Sequence, residues 1–212
     1  MNLHRPPSFI VGIAGGSASG KSTFATALLR ELTDGAAVTA GQPALTVEHL
    51  AMDRYFRTIE SGAPTIVSSS GEVRLDRNHP ESADNAALAA DLDRRKQADD
   101  APDVIVVEGL MTLYVPMVRE RLDLRLFVEL DADLRALRRM LRVRGRLPDA
   151  PDTRERLSGA MDYYIECARV GHALYVQPSR IYADLVLRGD ADLNRTAALV
   201  GDLVRAQLVW RR

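Results

Sequence analysis

The chain has 212 residues, is 46% hydrophobic and carries a formal net charge of -1. That length and apolar content suit one domain, residues 1–212, with a substantial core, and the near-neutral balance supplies no general positive field for nucleic acid or an anionic membrane. A single cysteine, Cys167, excludes an internal disulfide and leaves thiol-based metal binding unsupported, so it reads as an ordinary helix thiol.

No apolar run approaches the ~18 residues of a membrane span and no charged-then-apolar leader opens the chain, so a cytoplasmic protein is expected. Residues 1–8, MNLHRPPS, are a polar lead-in that Pro6 and Pro7 keep out of helix. An apolar, β-branched strand is predicted at about 8–14. It runs into residues 15–22, GGSASGKS, followed by Thr23. This fits the P-loop pattern G-x-x-x-x-G-K-[ST]: Gly15, Gly16, Ser17, Ala18, Ser19 and Gly20 aim backbone N–H groups at phosphate oxygens, Lys21 brings a cation and Ser22 a hydroxyl for Mg²⁺. Phe24, Leu28 and Leu32 have helical spacing. The motif therefore sits between a strand and a helix, whose N-terminus adds partial positive charge to the anion site.

A second strand is predicted over residues 45–52, ending on Asp53. Residues 57–78, with Gly62, Pro64 and SSSG, read as a long loop or irregular β excursion, and part of the stretch from about 55 to 80 is expected to cover a substrate. A helix should start at Pro80 and run to about 97. DVIVVE at 103–108 is a fully apolar run, as expected for a strand covered on both faces and for the Walker B position. Further strands at 123–129 and 183–187 and helices from about 132 and at 191–208 complete an alternating pattern. The expected fold is α/β: the P-loop NTPase architecture, a doubly wound parallel sheet of about five strands flanked by helices, with an Arg-rich lid over about 135–160.

Ligands of such sheets collect at the carboxyl ends of the strands. Asp53 closes the second strand and Glu108 the Walker B strand, so two carboxylates would face the outer phosphates. One can hold Mg²⁺, directly or through water, and the other can accept a proton from an attacking hydroxyl. Beyond Asp133, Arg135, Arg138, Arg139 and Arg142 share one helix face while Leu134, Leu137 and Leu141 form the apolar one. No acid offsets these arginines before Asp149, which points to anion binding. Arg144-Gly145-Arg146 suggests a hinged basic flap closing over phosphates.

These residues together resemble the uridine kinase and phosphoribulokinase group of P-loop kinases, and uridine kinases most. GIAGGSASGKST is similar to that group's P-loop, MDRYF to its M-D-x-F-Y, DRNHPESAD to its N-F-D-H-P-x-A-F-D and VVEGL to its V-x-x-E-G-I-L. VELDADLRALRRMLR with the following RGR resembles the lid region, and YVQPSRIYADLVLRGD the Y-x-E-P-[ST]-[KR]-x-Y-A-D motif, so the likeness spans about residues 9–195. It implies a kinase moving the γ-phosphoryl of ATP, with Mg²⁺, to a primary hydroxyl of a nucleoside or sugar-like small molecule. Asp53 would be the base and Lys21 a catalytic cation. Ser22 and Glu108, with Asp53 nearby, would serve the metal. Arg139 and Arg142 would meet substrate and transferred phosphate, and Arg144 and Arg146 the ATP phosphates. Tyr55, Arg77, Asn78 and His79 fall at substrate positions.

Departures from the pattern carry information. Arg77 stands where the group has an aromatic residue, Asn78 where it has a ribose-binding carboxylate, and Tyr55-Phe56 reverses the group's order. The segment that reads the pyrimidine is missing, because KQADDAP leads straight into the Walker B strand. Uridine and cytidine are therefore expected to be poor substrates, and the acceptor a smaller or more anionic one met by Arg77 or Arg74. Asn78 or His79 could equally be a helix N-cap. His4, His49 and His172 read as structural, and Trp210 as part of a packed or frayed tail. A homo-oligomer is compatible with the sequence. Two other functions stand beside the kinase: a GTPase or ATPase switch, for which the N-K-x-D signature is missing, and a regulatory ATP-binding protein without turnover.

Overall fold

The computed structural model describes residues 6–35, 38, 40–145 and 153–210. Strand β1, Phe9–Gly15, is buried along its whole length. Phe9, Val11 and Ile13 enter one core cluster while Ile10 and Ala14 enter another, so the strand is covered on both faces. Around it lie β2 (Val47–Ala51), β5 (Val104–Glu108), β6 (Leu124–Glu129) and β7 (Leu185–Arg188). Their order in space is β2-β5-β1-β6-β7, with every neighbouring pair parallel. The chain goes out to β2, returns through β5 and then crosses β1 to β6 and β7. The winding reverses at β1, which is where a ligand crevice opens at the carboxyl ends.

Helices cover both faces, as the alternating pattern predicts. On one face α1 (Lys21–Asp34) buries Phe24, Ala25, Leu28 and Leu32 together with Ala197, Val200 and Val204 of α6 (Leu193–Trp210). On the other, α2 (Asn85–Lys96) and the single turn α3 (Pro116–Arg119) supply Leu88, Leu92 and Val118. Burying aliphatic side chains of this size is worth roughly 1.5–3 kcal/mol each, so the two clusters hold the sheet rigid beneath the loops. Among the described residues no helix is long and apolar enough to cross a membrane.

Several boundaries differ from expectation for local reasons. The second strand stops at Ala51, and Met52–Tyr55 turns away as a 3₁₀ helix that carries Asp53. Pro80–Ser82 is likewise only a 3₁₀ turn. The helix proper begins at Asn85 because the Asp84 carboxylate accepts a hydrogen bond from the Ala87 amide at 3.0 Å and caps it. The β excursion is an antiparallel hairpin of β3 (Thr65–Val67) and β4 (Val73–Leu75). Helix α4 (Ala132–Arg144) is present, and α5 (Thr153–Tyr163) continues through two π-helical stretches, Tyr164–Ala168 and His172–Val176. The two faces of α4 are the predicted ones, and the arginine face is the one turned to the P-loop. Leu137 and Leu141 are 61% and 70% exposed, whereas Arg135 is 7% exposed. The helix docks by its arginines because the groups they meet, backbone carbonyls and a P-loop hydroxyl, lie beneath it.

Candidate active site

The P-loop leaves β1 through Gly15, whose φ of 146° lies outside the range of ordinary residues; a Cβ there would stand 2.5 Å from the Val128 carbonyl oxygen. The loop tightens where the Ser19 amide donates to Gly16 O at 3.1 Å, and α1 starts where the Phe24 amide donates to Gly20 O at 2.8 Å. The amides of the first α1 turn, Lys21, Ser22 and Thr23, have no intrahelical acceptor and remain for an anion. A cavity of about 340 Å³ is lined by Ala18, Gly20, Lys21, Ser22, Thr23, Arg138 and Arg142. The phosphate cradle and the arginine helix thus share one space.

Two α4 arginines converge on the loop itself. Arg139 Nη1 donates to Ser17 Oγ at 3.0 Å, and Arg142 Nη2 approaches the same oxygen at 3.4 Å. Arg138 donates to the Gly189 carbonyl at 2.9 Å, which ties the helix to the turn after β7. Arg135 is buried beneath Gly16 and donates through Nε to Leu130 O at 3.0 Å. Burial pulls its pKa below the usual arginine value. His172 packs against the same glycine, and burial first, then the Arg135 charge, lowers its pKa to about 4, so it is a neutral packing group beside the site. Arg144, at the end of α4, is exposed, and Arg146 lies outside the described residues, as do residues 147–152 of the expected lid.

On the carboxylate side, Glu108 is 8% exposed and accepts a hydrogen bond from Ser22 Oγ at 3.0 Å. Its other oxygen is buried, makes no hydrogen bond among the described residues and lies 3.9 Å from Lys21 Nζ. Glu108 pairs in register with Ala51 at the end of β2, and the exposed Asp53 follows two residues later, so both acids lie at the same edge of the sheet. Among the described residues no group of three or more His, Cys, Asp or Glu side chains could hold a metal ion. One buried carboxylate oxygen with spare capacity beside a serine hydroxyl nevertheless fits Mg²⁺, which takes most of its oxygens from water and phosphates.

Three residues expected at the substrate have their polar atoms engaged inside the protein. The Tyr55 hydroxyl donates to Asp91 of α2 at 2.7 Å, and its pKa is pushed up to about 12, first by burial and then by that carboxylate. Asn78, 5% exposed, donates to Tyr163 and Cys167, each at 3.3 Å. His79 Nδ1 accepts from the Glu81 amide at 3.2 Å and so caps the 3₁₀ turn Pro80–Ser82, whereas the helix that follows is capped by Asp84. Arg74 is paired with Glu72 at 2.6 Å, whereas Arg77 is exposed with its guanidinium 5.8 Å from the Phe56 ring centroid. Sequence reasoning missed Tyr163 and Asp76. Tyr163 carries no local pattern and Asp76 only opens the DRNHPESAD stretch, and it is the packing of α5 on the hairpin segment that brings them together.

The model of the phosphoribulokinase / uridine kinase family matches residues 72–192. A uridine kinase of Chloroflexus aggregans is 30% identical over 201 residues, covering 85% of this chain and 86% of its own. A uridine kinase of Halobacterium salinarum is 32% identical over 197 residues, covering 85% of this chain and 80% of its own. Among solved structures, a putative fructose transport system kinase from Silicibacter sp. TM1040 superposes with a TM-score of 0.55 at 18% identity, over 88% of this chain and 92% of that one, a likeness of fold.

Proposed function

Because the chain belongs to the phosphoribulokinase / uridine kinase family, we propose that this kinase transfers the γ-phosphoryl group of ATP to a primary hydroxyl of a small nucleoside or sugar-like acceptor. The observation that carries the proposal is the convergence of Arg139 and Arg142 on Ser17 above a P-loop whose Lys21 and Ser22 meet Glu108. Phosphoryl transfer asks little covalent chemistry of the protein; it needs charge placed around three phosphoryl oxygens and an attacking oxygen held in line. Backbone amides of residues 15–23 hold the inner phosphates, Lys21 the outer ones, and the arginines of α4 the transferred group.

Asp53 takes the proton as the acceptor oxygen bonds to phosphorus and the bond to ADP breaks. Ser22 and Glu108 would hold Mg²⁺, which supplies charge neutralisation at the phosphates when bound. Arg144 and Arg146 are assigned to the ATP phosphates, and closure of the 135–160 region keeps water from the transferred group. We further propose that the acceptor is smaller or more anionic than a pyrimidine nucleoside. Asn78 is turned inward, Arg74 is neutralised by Glu72, and Arg77 is the exposed cation at that end. The test is ADP release with ATP and Mg²⁺ across uridine, cytidine, ribose derivatives, pantothenate and glycerate. Acceptor-dependent release supports the kinase; release that no acceptor stimulates contradicts it.

A further inference from the structure

Tyr163, at the end of α5, stands between the arginine helix and the β3–β4 hairpin. Its ring centroid lies 5.6 Å from the guanidinium carbon of Arg139, the arginine that donates to Ser17 of the P-loop. The Arg139 Nε is buried and makes no hydrogen bond among the described residues. The direction of this guanidinium therefore rests on the Ser17 hydroxyl at one end and the Tyr163 ring at the other.

The hydroxyl of Tyr163 is fixed in turn by the segment leaving the hairpin. It donates to Leu75 O at 3.1 Å and accepts from the Arg77 amide at 3.1 Å and from Asn78 Nδ2 at 3.3 Å. One turn on, Cys167 completes the junction: its thiol donates to Asp76 Oδ1 at 2.8 Å and accepts from Asn78 Nδ2 at 3.3 Å, while Asp76 Oδ1 also accepts from the Asn78 amide at 2.9 Å. Burial, then the Asp76 carboxylate, pushes the thiol pKa to about 11, which keeps it a neutral donor. A Cβ at Gly171 would lie 2.5 Å from Asn78 Cβ, so the helix presses directly on this segment. A packing tyrosine needs none of this. Here one phenol satisfies three polar groups of a loop with its oxygen and supports with its ring the α4 arginine that reaches the P-loop.

We infer that Tyr163 is a positioning residue that couples the 75–78 segment to the phosphate site. The segment sets the ring, the ring sets Arg139, and Arg139 reaches Ser17. Coupling of this kind is reciprocal: a nucleotide that engages Ser17 and Arg139 steadies the hairpin segment, and an acceptor settling on that segment tightens nucleotide binding. The inference rests on the reading that the P-loop binds ATP, and its test separates the two.

The measurement is amide hydrogen exchange across residues 65–78, with and without Mg²⁺ and the non-hydrolysable analogue AMP-PNP. In the native protein the analogue should slow exchange there by about 5-fold or more, the lower end of ordinary coupling. Tyr163→Phe keeps the ring and removes the hydroxyl, so it should abolish the slowing while AMP-PNP affinity changes less than about 2-fold, below the coupling range. Arg139→Gln leaves the hydroxyl junction intact and cuts the other end, and it too should lose the slowing, which keeps the test decisive if Tyr163→Phe folds poorly. Bound analogue without slowing in the native protein, or slowing retained in either variant, overturns the coupling and leaves the kinase reading standing. Failure of the analogue to bind at all overturns both.

Discussion

Ser22 Oγ and Glu108 Oε1 lie 3.0 Å apart, so the first turn of α1 and the end of β5 are joined by one hydrogen bond at the centre of the phosphate site. The remaining Glu108 oxygen faces Lys21 at 3.9 Å and makes no hydrogen bond among the described residues. Such an arrangement exposes a buried carboxylate to a ligand cation without losing its own anchorage. Glu108→Gln should therefore raise the Mg²⁺ concentration needed for half-maximal activity by ~10-fold or more, within the range seen when a group supporting a metal is changed. A Mg²⁺ titration at fixed ATP checks it, and an unshifted curve would remove Glu108 from the metal's surroundings.

Lys21→Ala should reduce kcat/KM by ~10³ or more, because a cation at the transferred phosphate acts where charge develops. Near-normal turnover in this variant would contradict the assignment of the P-loop to catalysis.

Asp53 is exposed at the edge of the site, so Asp53→Asn should leave the fold untouched. The substitution retains size and removes the proton acceptor, and the rate should fall by ~10² or more with the KM for ATP little changed. Single-turnover measurements distinguish the outcomes: lost ATP binding with intact chemistry would show that Asp53 has another role.

Uridine and cytidine should be poor acceptors. A site that recognises a substrate by polar contacts can reject the wrong one by ~10⁴ or more, and here Asn78 has been drawn inward to Tyr163 and Cys167. Arg77→Gln should raise the KM of the true acceptor while leaving the KM for ATP unchanged. A uridine kcat/KM near ~10⁵ M⁻¹s⁻¹, ordinary for a dedicated enzyme, would instead make this a plain uridine kinase.

Stability should depend on acidity through two histidines. Burial is the first cause of the lowered pKa of both, His172 to about 4 and His49 below its usual 6.5. Below pH 6.5 the unfolded chain takes up protons that the folded chain refuses, so this part of the stability is present above that pH and is lost as pH falls from about 6.5 toward 4. Urea midpoints measured across that window should decline, and His172→Gln should flatten the decline. An unchanged slope in the variant would show that His172 is not held neutral.

What the sequence showed and what it concealed divide along the range of the interactions. Gly15 to Ser22 and the run ending at Glu108 were legible because each is a local pattern with a local cause: a glycine turn before a helix, an apolar strand ending in an acid. The five parallel strands followed from the same alternation. Periodicity made the two faces of α4 legible but not which of them packs: Leu137 and Leu141 are exposed, while Arg135 and Arg139 lie against the P-loop. The Tyr163, Cys167, Asp76 and Asn78 junction spans about ninety residues of chain, and no local signal marks it, as with the 85 residues between Asn78 and Tyr163. His79 illustrates the middle case, a residue whose sequence position suggested a cap and whose Nδ1 accepts from Glu81 at the start of a 3₁₀ turn rather than of the helix itself.

The most direct test of the account is the fate of labelled phosphate. With ATP carrying ³²P at the γ position, Mg²⁺ and an acceptor from the panel, the native protein should move the label into an organic phosphate ester, and Asp53→Asn should do so at least ~10²-fold more slowly. Label that appears only as inorganic phosphate, at a rate indifferent to every acceptor, would contradict the claim that this site delivers the phosphoryl group to an alcohol.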